Sequence, residues 1–309
     1  MSATSPRAAV LDVGCFSAHL LVVERCPSRR VSSHKVRLRL DEAVDATGRI
    51  TDRGIDEISA GVAAAGRHLW TTPSAAFLPF ATSSVRDALN AGEVVDAVAS
   101  RTGVTLTFFS ATTEAELAYR AARRWAGPDG PLTVLDVGGG TVEIAHGDGP
   151  RPIFARSLPF GARTLARAGL ADDPTKNLTE LRSVLRQRIE QAVPPEIRRE
   201  LTRAPATGCS TVFNSLAKLT GARPVRIADV TNWIPRLAPM PPHERARLPG
   251  ISRHRAHQTL AGAILAEALM AATNHDVVDI SPWSTREGVL IHLLEHHHDR
   301  PGRTAAGSS

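Results

Sequence analysis

The sequence predicts an α/β fold in two domains, and three observations carry that expectation. Strand-like apolar runs alternate with amphipathic helical segments along the 309 residues. The triplet Asp-Val-Gly occurs twice between apolar runs, at 12–14 and 136–138, an offset of 124 residues from Asp12 to Asp136. The segment GPDGP at 127–131 is the clearest linker, and the domain boundary is placed there. A chain of this length can bury one large core or two modest ones. The repeat reads as one strand–turn–strand unit per domain, the two facing each other across a cleft.

Composition narrows the partners. Lys and Arg number 37 against 31 Asp and Glu, and the sequence pI is near 10.0, a balance that favours polyanions. Aromatics are sparse, and no basic run is interleaved with them, so the stacking signature of single-stranded nucleic acid is missing and no nucleic acid is expected. Cys15, Cys26 and Cys209 have no CxxC spacing, which argues for a reducing compartment and against a zinc or disulfide framework. No signal-peptide h-region precedes the first Asp-Val-Gly, and no run of 18 apolar residues occurs, so a cytoplasmic protein without membrane contact is expected.

Taken in order, residues 8–24 read as strand, turn and strand, and 35–40 as a further strand. Residues 55–69 read as a helix and 75–80 as a buried strand. The stretch ATSSVRDALN at 81–90 places Arg86 after three hydroxyl residues, which suits an anion-binding loop at a strand end. A helix at 92–101 stops at Gly103, and 104–109 is another strand. In 110–125, Leu117, Ala118, Ala121, Ala122 and Trp125 form a helical apolar stripe. Thr113 and Glu116 fit a capping box, so Glu114 is not needed for capping, although acidic residues are favoured in any first helical turn. Residues 153–158 read as a strand, 159–162 as a loop, and 178–193 as a long helix ending at Pro194-Pro195. Residues 206–222 give an apolar entry, a small-residue turn and a helix; 256–272 is a helix preceded by Arg255. Ser284 and Glu287 cap a last helix, and His296–His298 sit at its end, where the helix dipole favours them.

The most informative stretch is 134–147, VLDVGGGTVEIAHG. Three glycines allow positive φ and let backbone N–H groups face outward, making a shallow nest for an anion such as phosphate. Asp136 enters the turn and Glu143 leaves it. Two carboxylates beside a phosphate repel it unless a hard cation intervenes, which implies a divalent metal, most simply Mg²⁺.

In series, the first Asp-Val-Gly turn, ATSSVRDALN, SATTEAEL, LDVGGGTVE, SLPFGA, ATGCSTVFNSL, residues 248–265 and STREGVL resemble the exopolyphosphatase and guanosine pentaphosphate phosphatase family, in a short two-domain form. The resemblance implies two ribonuclease-H-like domains of the actin-like ATPase and sugar-kinase superfold around a central cleft. They would be 1–126 and 127–284, with helix 285–298 packing back on the first and a disordered tail at 299–309. It also implies hydrolysis of a terminal phosphoanhydride in polyphosphate, a guanosine alarmone or another nucleotide, with Mg²⁺ or Mn²⁺ as cofactor; a homodimer stays open. Glu114 matches the general base, and Asp12, Asp136 and Glu143 the metal ligands. Gly14, Cys15, Ser17, Arg86, Gly138, Gly139, Gly140, Thr141 and Arg255 match phosphate contacts.

Some positions depart from the family pattern. Cys15-Phe16 replaces Ser-Asn, Thr113 replaces the first of two paired glutamates, Ala111 replaces a Gly, and Thr141-Val142 stands for Ser-Thr. Phe16 could offer a ring on which a base stacks, or turn into the core. A non-catalytic sensor of polyphosphate or alarmone is therefore the competing reading. A kinase of the same superfold fits less well, because Glu114 sits where the phosphatases put their base.

Overall fold

A computed structural model describes residues 6–72, 76–127, 130–169 and 177–298. Part of the expected linker (Pro128 and Asp129) and the 299–309 tail lie outside the described residues. The contacts group residues up to Phe108, together with those from Val289 onward, into one compact unit, and Phe109–Gly288 into a second.

In the first unit, β1 (Arg7–Val13), β2 (Ser17–Glu24), β3 (Cys26–Arg37), β4 (Ala76–Ala81) and β5 (Thr107–Phe108) form a sheet ordered β3-β2-β1-β4-β5. Strand β1 runs antiparallel to β2 and parallel to β4. Helices α1 (Asp52–Thr71), α2 (Ser83–Arg86) and α3 (Ala91–Thr102) complete it. Thr51 caps α1 by accepting the Gly54 N–H, and Ile55, Ile58 and Val62 turn inward at helical spacing. Strand β3 lies earlier than the 35–40 segment expected. Its side chains are largely exposed and polar, so it offers no apolar run, and it is held as a strand by the ladder to β2.

The second unit opens with α4 (Ala111–Ala126), followed by β6 (Leu132–Val137), β7 (Val142–Gly147) and β8 (Phe154–Leu158). Then come α5 (Ala162–Arg167), α6 (Leu178–Ala192), α7 (Pro195–Arg203), β9 (Ala206–Gly208), α8 (Thr211–Thr220), β10 (Val225–Arg226), α9 (Ile227–Leu237) and α10 (Pro242–Arg245). A 3₁₀ turn (Arg253–Gln258), α11 (Thr259–Ala272), β11 (Val277–Ile280) and α12 (Thr285–His298) end it. Its sheet is ordered β10-β11-β9-β6-β7-β8, and β6 is antiparallel to β7 and parallel to β9. Helix α11 is buried nearly all round, from Leu260 to Met270, in keeping with a sequence apolar there but for Glu267, which pairs with Arg182.

The core of each sheet has the same order, three strands antiparallel in succession (β3-β2-β1 and β8-β7-β6) and then two that continue in parallel (β4-β5 and β9-β11). This is the ribonuclease-H-like architecture expected. The boundary falls earlier than the 127–131 linker: α4 packs on β6, β7 and β8, so it belongs with the second unit rather than the first. Helix α12 begins in the second unit, and its residues from Val289 group with the first.

Candidate active site

The two Asp-Val-Gly segments are hairpins of one design. Val13 pairs with Ala18 and Val137 with Val142, positions that correspond across the repeat. Each turn is closed by the same backbone bond at 2.9 Å, Gly14 N–H to Ser17 O and Gly138 N–H to Thr141 O.

In the second hairpin, Asp136 and Glu143 stand directly opposite on β6 and β7. Both are buried. Asp136 Oδ2 accepts hydrogen bonds from Ser284 Oγ at 3.1 Å and Cys209 Sγ at 3.3 Å. Ser157 on β8 donates to Glu143 Oε1 at 2.8 Å. Burial pushes the Asp136 carboxyl up, against the pull of those donors. Glu143 is pushed up to about 8, first by burial, then by repulsion from Asp136 and, less, from Glu114. Cys209 is likewise driven well above its usual range by burial and by Asp136, so it stays a thiol.

Glu114 lies in the first turns of α4 and is buried. That helix begins earlier than the capping pattern suggested. Ser110 is its cap, accepting the Thr113 N–H at 3.1 Å, while Glu116 is exposed. The expected Thr113–Glu116 capping box is therefore not formed, because Ser110 offers a cap three residues upstream. Glu114 is singled out instead by its burial beside Glu143.

The glycine turn owes its composition to close approach, not to handedness. None of Gly138, Gly139 and Gly140 has positive φ, contrary to the sequence expectation. Helix α5 is packed against the turn: Ala162 N–H donates to Gly138 O, and Arg163 and Thr164 N–H donate to Gly139 O. A Cβ on Gly161 would lie 2.6 Å from the Gly139 carbonyl carbon and the Thr141 nitrogen, so only glycine permits this seat. With its carbonyls drawn to α5, the turn has Gly139 and Gly140 N–H groups that meet no acceptor among the described residues. Arg163, not anticipated, is buried, and its Nη1 would be 3.0 Å from a Cβ on Gly139.

Of the other expected residues, Arg255 lies on the 3₁₀ turn in a slot shared with Ala162, Thr211 and Gln258. Asp12, Gly14, Cys15, Ser17 and Arg86 belong to the first unit. Thr82 N–H bonds Val13 O, so the loop carrying Arg86 leaves the same sheet end as the first turn. Arg86 donates to Asp87 at 2.9 Å. Cys15 and Phe16 are buried in the core of that unit, and their carbonyls accept Leu40 and Leu38 N–H. The Phe16 ring is therefore core, and offers no stacking face.

Among the described residues, no group of three or more His, Cys, Asp and Glu side chains stands ready to hold a metal. The pair Asp136 and Glu143 nonetheless fits Mg²⁺. Mg²⁺ commonly takes one or two carboxylates and completes its shell with water and substrate phosphate. Two buried, opposed carboxyls with raised pKa values are a donor set in want of positive charge. Cys209, Ser284, Ser157 and Arg163 were missed because each arrives on a different element, with no local signal beyond its motif.

A profile of the Ppx/GppA phosphatase family matches residues 22–297. Exopolyphosphatase 1 of Mycobacterium leprae is 36% identical over 95% of this chain and 91% of its own. The protein of that name from Mycobacterium tuberculosis is 37% identical over 95% and 90%. A crystal structure of the Aquifex aeolicus Ppx/GppA family member superimposes with a TM-score of 0.78 at 21% identity, covering 96% of this chain and 99% of its own. An exopolyphosphatase from Cytophaga hutchinsonii gives 0.78 at 21% identity, over 94% and 98%, and both likenesses concern the fold. No described helix is long and apolar enough to cross a membrane. With the profile and the relatives spanning nine-tenths or so of the sequence, the chain is a phosphoanhydride hydrolase and belongs to the Ppx/GppA phosphatase family.

Proposed function

We propose that the protein removes the terminal phosphate of inorganic polyphosphate, or of a related phosphoanhydride such as guanosine pentaphosphate, with Mg²⁺ or Mn²⁺ as cofactor. One observation carries the reading: the buried carboxylates Asp136 and Glu143 face each other across a glycine turn, and Glu114 is close enough to Glu143 to disfavour its charge. The names of the mycobacterial relatives support polyphosphate as the substrate class.

Phosphoryl transfer asks for positioning, charge neutralisation and an oriented nucleophile rather than covalent steps. Asp136 and Glu143, with Asp12 as a further candidate, would hold the metal. When bound it neutralises phosphate charge and polarises the phosphoryl oxygens. The Gly139 and Gly140 N–H groups bind phosphate oxygens, and we assign supporting contacts to Gly14, Ser17, Thr141, Arg86 and Arg255. Cys15 contributes by its backbone alone. Glu114 accepts the proton of the attacking water. Ser284 and Cys209 fix the orientation of Asp136, and Ser157 that of Glu143. The three free cysteines fit a reducing cytoplasm.

The sensor reading drew its support from Cys15-Phe16, which core packing now explains. Phosphate release from polyphosphate, guanosine pentaphosphate and ATP, each with and without Mg²⁺, tests the proposal. Metal-dependent release from polyphosphate or guanosine pentaphosphate is expected, and no release from any of the three would refute it.

A further inference from the structure

We infer that Arg163 is a phosphate-binding residue, its guanidinium forming the cationic side of the second glycine turn; this rests on the proposed role of that turn. Arg163 is only 8% exposed. A guanidinium carries five donors and a permanent charge, and inside a folded protein it usually takes a carboxylate or carbonyl partner. Yet among the described residues its side chain makes no hydrogen bond or ion pair.

Its position explains what the charge is for. Arg163 N–H donates to Gly139 O at 2.9 Å, which fixes the start of α5 on the turn. The side chain then lies along Gly139, with Nη1, Cζ and Cβ at 3.0, 3.5 and 3.7 Å from where a Cβ would be. Glycine at 139 therefore makes room for the guanidinium. The amide nest and the guanidinium sit on one turn, and together they suit an oxyanion bearing several oxygens. Helix α5 has only six residues, and its first N–H groups are taken by the turn carbonyls, so its terminus is not the binding element. The occupant that fits is a phosphate of the substrate chain.

The test compares Arg163→Met and Arg163→Lys with the natural chain, using inorganic tripolyphosphate binding by calorimetry without metal, KM and kcat for polyphosphate, and thermal melting. Hydrogen bonds to charged groups imply a loss of affinity of about tenfold to a hundredfold for Arg163→Met. Because the guanidinium has no protein partner to lose, Arg163→Met is expected to leave melting within about a degree or two of the natural chain. Lysine keeps the charge but not the fork, and is expected to bind tripolyphosphate about threefold to tenfold more weakly than arginine. Unchanged tripolyphosphate affinity in either variant overturns the inference, as does a fall in melting temperature without loss of affinity. If Arg163→Met does not fold, the lysine variant decides alone. The binding readout separates this inference from the proposed hydrolysis: an inactive natural chain whose tripolyphosphate binding still depends on Arg163 would remove the latter only.

Discussion

The two Asp-Val-Gly hairpins share a backbone and differ in what their tips do. Cys15 and Phe16 correspond to Gly139 and Gly140. In the first unit the tip side chains roof the core, and the carbonyls are held by Leu38 and Leu40. In the second the tip has no side chains, its carbonyls are held by α5, and a guanidinium lies along it. The strands differ as well. Asp12 faces His19, whereas Asp136 faces Glu143 at the corresponding register. An acid opposite an imidazole can be satisfied within the hairpin, but two buried acids cannot. The duplicated scaffold thus has one turn whose tip side chains serve packing, and one whose bare tip is left in want of a cation and an anion.

If that asymmetry locates the chemistry, the largest single effect belongs to Glu114. Glu114→Gln is expected to lower turnover by about 10²–10⁴ while tripolyphosphate binding persists. Turnover near that of the natural chain would remove the base assignment.

Exchanging the tips attacks the comparison directly. Gly139→Cys with Gly140→Phe places bulk where Arg163 lies, and should abolish detectable tripolyphosphate binding. A polar change at the first tip, Cys15→Ser with Phe16→Asn, should cost about 3 kcal/mol or more of stability, since it empties an aromatic from the core and buries an amide. Denaturant unfolding measures the second. If this variant instead kept its stability and hydrolysed polyphosphate faster, the side chains at the first tip would line a binding surface and the contrast would fail.

The opposed acids predict a pH signature. Glu143 has a folded pKa raised to about 8, against an ordinary value of 4.5. The folded state therefore binds the extra proton, and the stability of the metal-free protein is greatest at low pH in this window. It is lost as pH climbs from about 4.5 through 8. Mg²⁺ requires the ionised carboxylates, so its stabilising shift in melting temperature should grow over the same interval. Glu143→Gln should flatten both trends. An Mg²⁺ shift independent of pH between 6 and 8.5 would place the metal elsewhere.

The sequence made the repeat legible because Asp-Val-Gly between apolar runs is a local pattern, and the hairpins followed from it. Asp136, Glu143 and the glycines were visible for the same reason. Glu114 is marked in the sequence by the family resemblance and not by capping, since Ser110 rather than Thr113 caps α4. Polar β3 left no apolar signature, and the start of α5 read as a loop because Pro159 and Gly161 dominate that stretch. Arg163, Cys209, Ser157 and Ser284 were out of reach for a different reason. Each gains its meaning from a partner on another element, from Gly139 beside α5 to Asp136 far along the chain from Ser284. A sequence read locally does not display such pairings.

The smallest effect sharpens the comparison most, because it concerns how one acid of the second hairpin is held. Ser284 looked like a helix cap from its spacing to Glu287. The structure divides the two halves of that cap: the Ser284 N–H donates to Glu287 Oε2 at 3.1 Å, while its hydroxyl turns to Asp136 Oδ2. Ser284→Ala keeps the backbone half and removes only the bond to the carboxylate, on which Cys209 remains. A serine acting as a cap would cost about 1 kcal/mol of stability on this change. A serine aligning a metal ligand would instead weaken the metal, since outer-shell partners commonly contribute about tenfold or more to affinity. With one of two donors left, the expected outcome is a rise of about threefold to tenfold in the Mg²⁺ needed for half-maximal activity, and a melting temperature within a degree or two. Lower melting with an unchanged Mg²⁺ titration would return Ser284 to the role of a cap, and would leave Asp136 aligned by Cys209 and the strand alone.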